Sequence, residues 1–121
     1  MGVRILVVDD DQMNIMRAKM ILSKGEYEVL TADSGEAALN ILAEEEVALV
    51  LLDIEMPGMS GIETLEKLRA TENGAKQPVM FMTGTYGEEE QTNGRRLGVL
   101  GCIPKPFLPP VLLNQLEEVL K

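Results

Sequence analysis

The chain has 121 residues, 45% hydrophobic and 26% charged, with a formal net charge of −9 and no histidine. That length suits one domain with a real core and is too short for two ordinary ones, and the composition argues against disorder. The negative charge disfavours direct binding to nucleic acid or anionic membrane, and a chain without histidine cannot run His-based acid–base or Ser-His-Asp chemistry.

The first segment, VRILVV (3–8), is an apolar, β-branched run of strand length. QMNIMRAKMILSKG (12–25) then predicts a helix ending at Gly25. YEVLTA (27–32) alternates as a strand, and Ser34 is a candidate N-cap for the helix GEAALNILAEEE (35–46). VALVLL (47–52) is apolar on both faces, the mark of a central parallel strand. SGIE (60–63) is a Ser-x-x-Glu capping box opening the helix GIETLEKLRA. PVMFMT (78–83) is a fourth strand, with Pro78 tolerated at its start. A weak polar segment, YGEEEQTNGRRLG (86–98), precedes the short apolar VLGCI (99–103). Pro109 and Pro110 fit the first turn of a last helix, VLLNQLEEVLK.

Five β-then-α units in a row imply an α/β domain, a doubly wound three-layer sandwich with helices on both faces of a parallel sheet. Residues 1–121 are expected to form a single domain without linker or low-complexity tract. No apolar run reaches the roughly 18–20 residues that cross a bilayer. The N-terminal run MGVRILVVDDD ends in three aspartates, unlike a secretory signal, and lacks the Ser/Thr that a myristoylated Gly2 requires. One cysteine, Cys102, cannot form an internal disulfide, so a reducing cytoplasm is the expected compartment.

The polar residues gather at the strand ends. Asp9, Asp10 and Asp11 follow the first strand, Asp53 follows the third, Thr83 closes the fourth, and Lys105 lies just past the fifth. These are carboxyl ends, where open α/β sheets bind ligands. With strand order 2-1-3-4-5 the crevice lies between strands one and three, so Asp9, Asp10 and Asp53 are expected to meet there. Two carboxylates about 5 Å apart repel by roughly 3 kcal/mol at an effective dielectric near 20, so the cluster needs a cation. Oxygen ligands without His or Cys favour Mg²⁺ or a similar hard ion. A divalent ion, a lysine and a hydroxyl around one carboxylate would stabilise an anion such as a phosphoryl group. Taken singly, each residue has an ordinary explanation: the aspartates cap the first helix, Thr83 ends a strand, and Lys105 is a solvated charge. Gly-rich nucleotide loops of the GxGxxG or GxxxxGK[ST] type are absent.

In order and spacing, ILVVDDD, LLDIEMPGMSGIE, MFMTG and IPKPF resemble the receiver domain of two-component response regulators, within the chemotaxis-regulator-like superfamily. The resemblance covers nearly the whole chain. It implies that Asp53 accepts a phosphoryl group from a histidine on a sensor kinase or phosphotransfer protein, in a self-catalysed Mg²⁺-dependent reaction, and later loses it. It makes Asp10 and Asp53 direct Mg²⁺ ligands, with Asp9 acting through water and the carbonyl of Glu55 completing the set. Thr83, Gly84 and Lys105 would bind the phosphoryl group, and the Lys105–Pro106 bond would be cis. The output would pass to a downstream effector protein or fused domain, and a homodimer formed on phosphorylation is compatible with the family. The alternative is a receiver-like interaction or dimerisation module that no longer takes phosphate. Degenerate receivers usually lose an acidic residue, the threonine or the lysine, and all are kept here.

Two departures concern the switch. Many receivers carry Tyr or Phe at the position of Cys102, where the ring turns inward as the threonine engages phosphate. A small thiol stands there instead, expected to be a buried core residue, and Tyr86 is the nearest aromatic that could substitute. Segment 86–98 has one apolar anchor, Leu97, and a Gly94 costing about 1 kcal/mol relative to Ala, so it is expected to be loosely held or partly unfolded.

The first helix carries two stripes. At about 100° per residue, Ile15, Ala18, Ile21 and Leu22 share one face, the natural core side. Met13, Met16 and Met20 fall nearly opposite. They are either scattered surface apolar residues or an adaptable docking face for a kinase or phosphotransfer helix. Similar receivers present this helix to such partners.

Overall fold

The computed structural model describes residues 3–84, 87–105 and 108–120. Strands β1 (Arg4–Val8), β2 (Glu28–Ala32), β3 (Leu49–Asp53), β4 (Val79–Thr83) and β5 (Cys102–Pro104) alternate with helices α1 (Gln12–Lys24), α2 (Gly35–Glu44), α3 (Gly61–Arg69), α4 (Glu88–Leu97) and α5 (Pro109–Leu120). The strands form one parallel sheet in the order β2-β1-β3-β4-β5, as expected from the alternation of elements.

Every residue of β3 and β4 is buried, because helices cover both faces of the central strands. On one face Ile5, Val7, Leu49, Leu51, Met80 and Ile103 pack against Ala18, Ile21 and Leu22 of α1 and Leu112 and Leu116 of α5. On the other, Leu6, Val8, Val50, Leu52, Val79 and Phe81 meet Ala38 of α2 and Leu65 and Leu68 of α3. The pleat sends alternate side chains to opposite layers, so one continuous apolar run serves both. Asp53 is the last residue of β3 rather than the one after it, still paired in the ladder with Met82. The fifth strand is also shorter than VLGCI suggested. Three residues form it at the sheet edge, and residues 99–101 lead in through bonds such as Leu100 N–H to the Val79 carbonyl (2.9 Å).

Segment 88–97 forms the fourth helix, ten residues long and, as its sequence suggests, poor in buried apolar side chains. Its ends supply what its apolar content lacks. Glu88, Glu89 and Glu90 occupy the first turn and Arg95 and Arg96 the last, both favourable to the helix dipole. The Glu90 carboxylate accepts from the Gly87 N–H (3.2 Å). Gly98, at φ 73°, adopts the left-handed conformation that closes the C-terminus, with Val99 N–H reaching the Gly94 carbonyl (2.8 Å). Gly94 is the buried residue of the helix.

The Ser60–Glu63 capping box forms as expected. The next residue is tightly constrained. Gly61 donates to the Ile54 carbonyl (2.9 Å), and a Cβ there would overlap the Asp53 carbonyl and the Ile54 Cα. The absent side chain lets α3 start directly beneath the loop that follows Asp53. Gly61→Ala should therefore destabilise the protein by about 1–3 kcal/mol, measured by urea unfolding. An unchanged midpoint would show that this loop yields without cost.

Candidate functional site

The three consecutive aspartates have divided roles. Asp11 is the N-cap of α1, its carboxylate accepting from the Met13 N–H (2.9 Å). Asp9 is fully buried, and its Oδ1 accepts from the Asp11 N–H (2.9 Å). Asp10 is exposed at the mouth of the site. From β3 comes Asp53, 3% exposed, whose Oδ1 accepts from the Glu55 N–H (3.2 Å). Carboxylate oxygens of Asp9, Asp10 and Asp53 lie within 4.8 Å of one another. The helix cap and the acidic cluster therefore coexist, one residue apart.

Lys105 is brought in by the end of β5, where its N–H donates to the Thr83 carbonyl (3.1 Å). Its Nζ stands 2.8 Å from Asp9 Oδ2 and 3.2 Å from Asp53 Oδ1. Burial raises the Asp53 pKa, the Asp9 charge raises it further, and Lys105 and the Glu55 N–H only partly oppose them, leaving it at about 6. For Lys105, burial works against the charged form. Its hydrogen bond to Asp9 and the charges of Asp53 and Asp9 outweigh that, and its pKa is raised. Three ionised carboxylates against one ammonium leave a surplus of two negative charges. Oxygen donors with that surplus match a hard divalent cation.

The cleft has a volume of about 340 Å³ and is lined by Asp9, Asp10, Asp11, Asn14, Asp53, Glu55, Gly84 and Lys105. Thr83, 3% exposed, ends β4 beside Asp53's strand. Gly84 has open space where a Cβ would stand. Asn14 is the lining residue that sequence reasoning missed. It sits in the first turn of α1, whose start adjoins the aspartates, and that adjacency is the signal that could have found it.

Cys102 does not reach the cleft. It is half-buried among the residues packed on the α2–α3 side of the sheet, less enclosed than the expected core residue because β5 is an edge strand. Burial pushes its thiol pKa up, with a main-chain hydrogen bond at Thr83 partly opposing. Tyr86 and the residue that completes the Lys105–Pro106 bond lie outside the described residues. Met13, Met16 and Met20 are 71%, 62% and 62% exposed, and Ile15, Ala18, Ile21 and Leu22 are buried, as the two stripes of α1 predict. Among the described residues no helix is long and apolar enough to cross a membrane.

Comparison with known proteins gives a consistent result. Residues 5–117 match the family model of the response regulator receiver domain. A "Probable cyclic di-GMP phosphodiesterase" of Vibrio cholerae serotype O1 is 37% identical over 117 residues, 97% of this chain but 26% of that protein. The transcriptional regulatory protein CpxR of Klebsiella pneumoniae is 36% identical over 118 residues, 98% of this chain and 49% of CpxR. The chain thus spans about a quarter and about half of these two relatives. A solved structure of the Vibrio cholerae chemotaxis protein CheY4 superposes with a TM-score of 0.93 at 28% identity, covering 98% of this chain and 99% of that one. With the fold, the strand-end carboxylates and the family match in agreement, this chain belongs to the response regulator receiver domains of two-component systems.

Proposed function

We propose that Asp53 is the phosphoacceptor of this receiver and that 1–121 acts as a single receiver domain. The observation that carries the proposal is the meeting of Asp9, Asp10 and Asp53 within 4.8 Å, with the Lys105 ammonium bridging Asp9 and Asp53. A carboxylate with a pKa near 6 is mostly ionised at neutral pH yet more basic than a surface aspartate, which favours it as a nucleophile. An Asp53 oxygen attacks the phosphorus of a phosphohistidine. The P–N bond breaks as the P–O bond forms, and the leaving imidazole takes a proton.

Asp10, Asp53 and the Glu55 carbonyl would hold Mg²⁺, with Asp9 acting through water, and the ion would supply charge neutralisation at the phosphoryl oxygens. Lys105 holds a fixed positive charge beside the acceptor. Thr83 and Gly84 close the phosphoryl side of the cleft. Thr83, Tyr86 and Cys102 are the residues through which occupation of the site would be sensed. The donor is a sensor histidine kinase or phosphotransfer protein, the recipient of the signal is an effector protein or fused domain, and the setting is the cytoplasm. The site retains every acidic residue, the threonine and the lysine, which argues against a phosphorylation-independent module.

Incubation with acetyl phosphate and Mg²⁺ should add one phosphoryl group to the intact mass, and EDTA or Asp53→Asn should remove the addition. Labelling of Asp53→Asn at the wild-type rate would assign the acceptor elsewhere.

The methionine stripe of α1 is proposed as the docking face for the phosphodonor. With Arg17, Lys24 and Pro109 it lines a groove of about 470 Å³, and methionine adapts to varied partners. Met16→Ser combined with Met20→Ser should shift stability by less than about 0.5 kcal/mol. The double variant should slow phosphotransfer from the protein donor at least several-fold without slowing it from acetyl phosphate. Equal rates from the protein donor would reduce the stripe to scattered surface residues.

A further inference from the structure

The three methionines of α1 share a chemical property that docking alone does not use. Met13, Met16 and Met20 follow one another at spacings of three and four residues, so their side chains are neighbours on one helix face. All three are exposed, and they line one groove together with Arg17, Lys24 and Pro109. The other described methionines differ. Met80 and Met82 are buried in the apolar layer beneath α1 and α5, Met56 is buried in the opposite layer, and Met59 is half-buried. A thioether is oxidised by peroxides that can reach its sulfur, and the sulfoxide formed is polar, neutral and open to enzymatic reduction. Packing therefore shields the core methionines and leaves the stripe to react.

We propose that Met13, Met16 and Met20 form an oxidation site through which peroxide closes the α1 face to the protein phosphodonor while the chemistry at Asp53 stays intact. A sulfur lone pair attacks one peroxide oxygen. The S–O bond forms as the O–O bond breaks, and the second oxygen leaves with both protons as water. Sulfur loses two electrons and peroxide gains them. Three sulfoxides turn a continuous apolar stripe into a row of hydrogen-bond acceptors, which the apolar side chains of a partner cannot satisfy. The cations of the helix, Arg17, Lys19 and Lys24, keep their charge, so the change falls on the apolar contact alone. The cleft takes no part, because no methionine is among the described residues that line it. The consequence for phosphotransfer rests on the docking reading of the stripe, whereas the selectivity of oxidation does not.

Graded hydrogen peroxide, quenched with free methionine and followed by peptide mapping of the full chain, tests the site. Met13, Met16 and Met20 should oxidise at least about ten-fold faster than Met56, Met80 and Met82. A sensor kinase chosen because it phosphorylates the untreated chain then reports on docking. After oxidation its transfer should slow several-fold, while labelling by acetyl phosphate stays within about two-fold of the untreated rate. Methionine sulfoxide reductases A and B, one for each sulfoxide epimer, should restore transfer. Met13→Leu, Met16→Leu and Met20→Leu combined keep an apolar face without sulfur, so peroxide should leave transfer to that variant unaltered. The variant retains Cys102, and an equal loss of transfer in it would overturn the proposal by placing the sensitivity elsewhere. Equal oxidation of exposed and buried methionines, or an oxidised chain that accepts from the kinase at the untreated rate, would overturn it too. In the last case Met16→Ser with Met20→Ser separates the two failures: slowed transfer to that variant keeps the docking reading, and unchanged transfer removes it.

Discussion

Replacing Lys105 with methionine should destabilise the metal-free protein by about 3 kcal/mol at pH 7.5. The cause is the state of what remains. Asp9 is fully buried and Asp53 nearly so, and the ammonium bridging them is the cation in contact with both. Methionine keeps most of the stem but leaves two buried carboxylates facing each other, and breaking a buried pair by removing one partner typically costs about 3–5 kcal/mol. The lower figure applies because the Lys105 side chain is itself 18% exposed. In urea the midpoint should fall by about 1–3 M, given the usual slope of about 1–3 kcal/mol per molar. Adding Mg²⁺ should return much of the loss, more than NaCl of equal ionic strength, because an ion held by the native carboxylates binds the unfolded chain poorly. Asp10→Ala should abolish this recovery while leaving the Lys105 bridge intact. A midpoint lowered by less than about 0.3 M would show that the carboxylates are relieved some other way.

Asp53→Asn should do the opposite and stabilise the metal-free protein. The folded pKa of Asp53 is about 6, against roughly 3.9 for an aspartate in an unfolded chain. Between those values the folded state binds more proton than the unfolded state, so stability falls as pH rises. The penalty is absent below about pH 4, grows through pH 6 and is fully present above it. At about 1.4 kcal/mol per pH unit it amounts to about 2–3 kcal/mol. Asparagine removes the charge and with it the penalty, which is already net of Lys105's attraction to Asp53, so a gain of about 2 kcal/mol is expected at pH 7.5 in EDTA. The difference between variant and wild type should shrink as pH is lowered towards 4.5, and Mg²⁺ should erase it by stabilising only the wild type. Melting curves over this range measure it directly, and a difference independent of pH would reject the assigned titration.

Most of the scaffold could be read from local chemistry. VALVLL and PVMFMT are apolar at successive positions, a pattern only a strand covered on both faces tolerates, and β3 and β4 are buried throughout. Ser34, Ser60 and Gly25 marked helix ends because capping is decided within a few residues. The meeting of Asp9, Asp10 and Asp53 followed from strand order, since parallel strands present their carboxyl ends on one edge of the sheet. Side-chain direction was harder to read. Nothing local announced that Asp11 would turn to the helix while Asp9 turned inward, or that Lys105 would reach Asp9 more closely than Asp53. Helix α4 has little apolar periodicity, and its termini, where three glutamates, two arginines and a left-handed glycine act together, carry the clearer signal. The hydrogen bond from Arg69 to the Leu97 carbonyl joins residues 28 apart in sequence, and no short-range pattern encodes it.

The brevity of β5 bears on how this chain behaves in a crowded solution. An outer strand with free N–H and C=O groups is a template onto which another polypeptide can add, the first step towards fibrous aggregates. Here that margin is three residues long and closes with Pro104, which has no N–H to offer. Across the sheet, the other margin begins at Glu28, an exposed carboxylate held by Arg4 (3.4 Å). The Val- and Leu-rich strands most able to aggregate are therefore placed innermost, and each flank presents a stop or a charge. A receiver built this way can keep a sheet apolar on both sides without inviting other chains to extend it.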